Sequence, residues 1–221
     1  MNEFTPEARE KLVEYLDTHE LPRGLGSKES ACSIAAINLA LTGRLTDKTP
    51  DCMSLALGRA VITLQDVMPR EMRNSTRYKR LLPDMAGTGR EYEKERTDVI
   101  LEWMWKTVLP QLQSFADEHG FGREWKTMCE ERTAHAAHAA YAAHAAYATA
   151  HAVYDAHAAH AAHAVYAAAH AAHAARAAYA AYAAHAAYAA DVAYAADADE
   201  FWQAVDPITM LEHMTHLGEK S

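Results

Sequence analysis

Residues 135–197 read HAAHAAYAAHAAYATAHAVYDAHAAHAAHAVYAAAHAAHAARAAYAAYAAHAAYAADVAYAAD, and the spacing in this stretch decides how the chain is read. Its large or polar side chains fall in three runs. The first is His135, His138, Tyr141, His144 and Tyr147. The second is His151, Tyr154, His157, His160, His163 and Tyr166. The third is His170, His173, Arg176, Tyr179, Tyr182, His185, Tyr188, Asp191, Tyr194 and Asp197. Steps within each run are three residues, the two steps between runs are four, and the positions between are almost all alanine.

An α-helix turns about 100° per residue, so a three-residue step falls about 60° short of a full turn and spreads the bulky groups around the helix. A 3₁₀ helix eclipses residues i and i+3, which would stack the same groups into one His/Tyr ladder flanked by alanine faces. The two four-residue steps fit a helix slightly looser than three residues per turn. Against this, long 3₁₀ runs are uncommon and alanine is the best α-former. A supercoiled α-helix could also align a drifting stripe. Both helix types therefore stay open. The absence of glycine and proline counts against a polyproline bundle or β-solenoid. His, Tyr and Asp codons differ only at the first base, so expansion of a nine-base repeat would also generate the period.

Either helix type implies association. An alanine rod with almost no charge buries little by itself, and small side chains let backbones approach closely. The expectation is packing against itself, in a hairpin or a bundle of copies, with tyrosine rings on alanine methyls.

Residues 1–132 read as ordinary helical sequence. Thr5-Pro6-Glu7 is a cap, a proline at the first helical position and an early acid, and predicts a helix to about His19. Cys32–Thr42 is a second helix, closed at Gly43 by a left-handed cap. Asp51 is the expected cap of a third helix through Leu64 to about Val67, stopped by Pro69. Ser75 caps a short helix expected to end before Pro83, and DMAGTGR is a loop. A long helix begins near Glu91, with Val99, Ile100, Trp103, Val108 and Leu112 on one face. Pro110 predicts a kink or break near Thr107. Gly120-Phe121-Gly122 is a break, and residues 123–132 start a helix that leads into the repeat. Asp206-Pro207 starts a last helix to about Leu217, with Phe201 and Trp202 as upstream anchors. The fold class is all-α: a helical head (1–132), the alanine-rich triplet-repeat segment (133–199) and a C-terminal helix (200–221).

The net charge of −9 argues weakly against a general nucleic-acid binder. Cys32, Cys52 and Cys129 are odd in number and far apart, which suits a reducing cytoplasm. The N-terminus MNEFTPEAREKL carries no signal-peptide pattern, and polar residues interrupt the alanine tract too often for a membrane span. His157, His160 and His163 form the best candidate metal-binding run, since imidazoles at i, i+3 can share a zinc, nickel or copper ion. Arg70, Arg73, Arg77, Lys79 and Arg80 cluster in 69–80 and could touch phosphates. Gly87-Thr88-Gly89-Arg90 lacks the spacing and lysine of a phosphate loop. No catalytic constellation and no cofactor fingerprint is readable, so an enzyme is not expected. Trp103 and Trp105 look like core or interface.

The stretch KESACSIAAINLALTGRLTDKTPDCMSLALGRAVITLQDVMPREMRNS, then ERTDVILEWMWKTVLPQLQ and the alanine-rich tail, resembles a group of uncharacterised bacterial and phage-associated proteins. The resemblance implies a cytoplasmic or mobile-element setting and carries no site residues. The sequence thus points to a self-assembling or partner-binding protein, a homo-oligomer without cofactor or membrane. A His-ladder metal binder and a ligand or nucleic-acid binder acting through 69–80 are the alternatives.

Ten histidines on one ladder also predict sensitivity to acid. Imidazole titrates near pH 6.5, and closely spaced protonated rings repel. The assembly should therefore loosen below about pH 6; an unchanged sedimentation coefficient at pH 5 and pH 8 would contradict this.

Overall fold

A computed structural model describes residues 3–133, 135–136, 139–140, 143 and 198–218. Among these the chain is helical, with no strand and one isolated bridge between Gly26 and Ala31. The elements are α1 (Pro6–Thr18), α2 (Ser33–Thr42), α3 (Leu55–Val67), α4 (Arg70–Arg73), α5 (Thr76–Ala86) and α6 (Glu93–Trp103). A π-helical turn (Met104–Val108) and a 3₁₀ turn (Leu109–Leu112) follow. Then come α7 (Gln113–Glu118), α8 (Gly122–Glu131), α9 (Ala198–Val205) and α10 (Pro207–Thr215). The described residues fall into two units, those within Met1–Arg96 and Pro207–Ser221, and those within Thr97–Asp206.

In the first unit α1 packs on α2 and α5, α2 on α3 and α5, and α10 on α3 and α5. Leu12, Ile34, Ile37, Leu57, Leu64 and Leu82 are fully buried between them, each contributing about 1.5–3 kcal/mol. Thr5 caps α1 through its hydroxyl on the Ala8 N–H at 3.3 Å. Gly43 closes α2 at φ 71°, a left-handed conformation that glycine adopts without strain. Ser75 caps α5.

Three expectations need correction. Asp51 does not cap α3. The Ser54 hydroxyl does, taking the Leu57 N–H, and the distant Glu93 carboxylate takes the Leu55 and Ala56 N–H groups at 2.7 and 2.9 Å. Pro83 does not end α5, which runs to Ala86. The proline removes one N–H bond only three residues before the helix stops, while Leu81, Leu82, Met85 and Ala86 hold the buried face. The helix after Gly122 does not run into the repeat. It ends at Arg132, which sits at φ 54°, and the next turn has its own cap, the Thr133 hydroxyl on the Ala136 N–H at 3.1 Å.

The break expected near Thr107 is present. Pro110 offers no N–H, so the ladder widens to the π turn and then tightens into the 3₁₀ turn, with Pro110 in its first turn. In the second unit the π turn packs against the 3₁₀ turn and α9, and α8 packs on α7 and the 3₁₀ turn. Phe121, Trp125, Phe201 and Trp202 are buried there. α10 starts at Pro207 as expected and ends at Thr215, two residues short of Leu217.

Short helices leave many carbonyls without partners, and in the first unit buried side chains supply the donors. Arg96, 1% exposed, donates to the Met214 carbonyl near the end of α10 at 2.9 Å, and to the Glu91 and Thr88 carbonyls. Arg73, 5% exposed, donates to the carbonyls of Leu21, Gln65 and Met68 at 2.8, 3.0 and 2.9 Å. Asn38 donates to those of Ile34, Thr46 and Lys48. Burial lowers both arginines from their ordinary pKa. Neither has a carboxylate within ion-pair distance among the described residues, so carbonyls accept its hydrogen bonds, while more distant carboxylates, Glu93, Glu95 and Glu91 for Arg96 and Asp66 for Arg73, offset part of the burial.

Replacing Arg96 leaves three carbonyls without that donor, so Arg96→Met should lower stability by about 3 kcal/mol. Arg70→Ala, which breaks an ion pair to Glu20 whose partners are 67% and 61% exposed, should cost no more than about 1 kcal/mol. Urea midpoints of the two variants check this; equal shifts would show that the buried guanidinium is not a structural centre.

Candidate functional site

The described residues place both flanks of the alanine-rich segment at the end of α6. At the entry, Arg132 reaches the carboxylate of Glu102, with Nη1 3.5 Å from Oε2. Thr133 then caps the first turn. At the exit, the Trp103 indole N–H donates to the Val205 carbonyl, the last of α9, at 2.6 Å. Trp103 is buried, as expected of a core or interface residue. Phe201 and Trp202, edge-on at 5.6 Å, are buried on the same helix as Val205, within the second unit; the sequence reads them instead as anchors of the last helix, which belongs to the first unit. Entry and exit thus meet consecutive residues: the entry through an exposed ion pair on Glu102, which also pairs with Lys106, and the exit through the buried hydrogen bond of Trp103.

At the entry, His135, Ala136, Ala139, Ala140 and Ala143 have α-helical backbone. Ala136 and Ala140 are buried and Ala143 is half-buried, the i, i+4, i+7 spacing of one α-helical face. His135 is exposed. The rest of the ladder, from His138 through Tyr194, and the candidate metal run His157, His160 and His163 lie outside the described residues. Among the described residues no group of three metal-ligating side chains comes together.

The basic stretch is not presented as one surface. Arg70 pairs with Glu20, Arg73 is buried on carbonyls, and Arg77 bonds Thr209 and the carboxylate of Glu212. Lys79 donates to the Leu16 and His19 carbonyls at 2.8 and 2.7 Å, closing the C-terminus of α1. Arg80 is exposed.

All three cysteines are free thiols. Burial pushes each above the ordinary thiol value, Cys129 to about 12 with Glu130 adding to the effect. The thiolate, the reactive form, is scarce at neutral pH in each case. Cys32 has a structural task instead: its sulfur accepts the Ala35 N–H at 3.4 Å as the cap of α2.

Sequence reasoning placed Trp103 in the core or an interface and gave Phe201 and Trp202 to the last helix; it did not single out Glu102, Arg132 or Thr133. Thr133 was legible, since a threonine directly before an alanine run is a cap signal. The left-handed turn at Arg132 was not, because no glycine or asparagine marks it. No described helix is long and apolar enough to cross a membrane. No family model, curated protein or solved structure matches the chain.

Proposed function

We propose that the chain is a non-enzymatic structural protein, whose second unit holds the two ends of the alanine-rich segment while that segment packs against itself or against other copies. The carrying observation is the double anchorage at Glu102 and Trp103. A single unbroken α-helix over 134–197, about 64 residues, would place its ends about 96 Å apart. Ends held at consecutive residues favour a segment that folds back, which is how an alanine face finds an alanine face. The donors and thiols of the described units support the non-enzymatic reading. Buried arginine and asparagine side chains are spent on carbonyls, and the thiols are displaced away from nucleophilic character. The proposed setting is the cytoplasm, on the three free cysteines. Homo-oligomers, or an unidentified protein partner, are the proposed associations.

Sedimentation equilibrium of the full chain tests this. Ala158→Glu with Ala164→Glu places charges on faces proposed to meet alanine, and should shift the weight-average mass down or expand the particle with the melting of the head unchanged. His157→Ala, His160→Ala and His163→Ala together should leave the assembly intact in the presence of a chelator. If chelation or the triple substitution dissolves the assembly, the histidine ladder is a metal site and the assembly reading fails.

A further inference from the structure

A cleft of about 350 Å³ opens between α1 and α5, within the first unit. Small-molecule sites commonly measure about 300–1,000 Å³. Its apolar part is made by Leu16, which is buried, Pro83, also buried, and Val13, which is 42% exposed despite its apolar side chain. Its polar part comes from Arg9, Asp17, Asn74, Thr76, Lys79 and Arg80.

The charges in this cleft do not cancel. Arg9 is matched by Asp84. Lys79 bonds only the neutral carbonyls of Leu16 and His19, so its charge has no carboxylate partner. Among the described residues, the Arg80 guanidinium and the Thr76 hydroxyl have no hydrogen-bond or ion-pair partner, although both line the cleft. Asp17 supplies one negative charge against these two cations. The cleft therefore carries a positive excess beside an apolar floor.

We propose that this cleft binds a small organic oxyanion, a carboxylate or phosphate monoester on an apolar stem. The planar fork of Arg80 would take two oxygens of the anion. The Thr76 hydroxyl would donate to the same group, and Lys79 would add charge. Val13, Leu16 and Pro83 would cover the stem. The site is independent of the assembly reading, because every residue in it belongs to the first unit and none to the alanine-rich segment.

Isothermal titration of the full chain with butyl phosphate, hexanoate and inorganic phosphate tests the site. Butyl phosphate or hexanoate should bind, and which of the two binds more tightly identifies the oxyanion. Inorganic phosphate, which lacks the stem, should bind at least about tenfold more weakly than the tighter of the two organic probes. Arg80→Ala should weaken the organic probe at least about tenfold, a loss in the range of one charge-assisted hydrogen bond. Val13→Asp, which sets a carboxylate on the apolar wall, should weaken it similarly. Arg44→Ala, a change at an exposed arginine outside the cleft, should leave it within about twofold. Arg80 and Val13 are exposed, so both variants should keep the melting temperature of the parent. The proposal is overturned if no organic probe binds the parent chain, if Arg80→Ala binds the tighter organic probe as the parent does, if Arg44→Ala loses as much as Arg80→Ala, or if inorganic phosphate binds as tightly as the tighter of the two organic probes.

Discussion

Side-chain N–H groups that satisfy buried carbonyls are the interaction on which both folded units depend. The chain is cut into short helices by Gly43, Pro69, Gly87, Pro110 and Gly120, and each cut leaves carbonyls that an apolar core cannot hydrate. Arg96 and Arg73 answer this in the first unit, each with three carbonyls. Lys79 does so at the end of α1. In the second unit the donors are indoles: Trp125 to the Leu109 carbonyl at 2.9 Å, where the π turn gives way to the 3₁₀ turn, and Trp103 to the Val205 carbonyl. The last of these bonds also fixes where the chain returns from the alanine-rich segment.

This use of donors accounts for what the basic stretch does. Five cations within 69–80 suggest a phosphate surface when seen as composition. In the fold they face different ways because α4 and the turn before α5 redirect the chain. One arginine enters the core, two pair with acids from elsewhere in the first unit, and the lysine closes a neighbouring helix. Arg80 remains directed to the cleft beside α1. Clustering in sequence became clustering in function for only a small part of the stretch.

Much of the fold was legible because caps and breakers act locally. Thr5-Pro6, Ser75, Gly43 and Pro110 each did what their backbone chemistry dictates. The failures involve partners distant in sequence. Ser54 and Glu93 together cap α3, and nothing near Asp51 announces a carboxylate that arrives from 38 residues beyond Leu55. Pro83 is tolerated because its neighbours are packed, and packing is a tertiary property. The burial of Arg73 and Arg96 is invisible in sequence, since the carbonyls they serve lie on other elements. For the candidate site, the tryptophans were readable from size and hydrophobicity. Glu102 was not, because an acid on an exposed helix face looks like any other.

The central claim is that the second unit brings the two ends of the alanine-rich segment side by side. Pulsed electron-resonance spectroscopy between spin labels at the exposed Glu131 and Gln203, introduced as unnatural amino acids so that Cys32 and Thr133 keep their capping roles, measures it directly. The account predicts one narrow intramolecular distance below about 30 Å, retained when labelled chains are diluted with unlabelled ones. A distance approaching the about 96 Å of an unbroken helix, or a broad distribution with no short component, would contradict it.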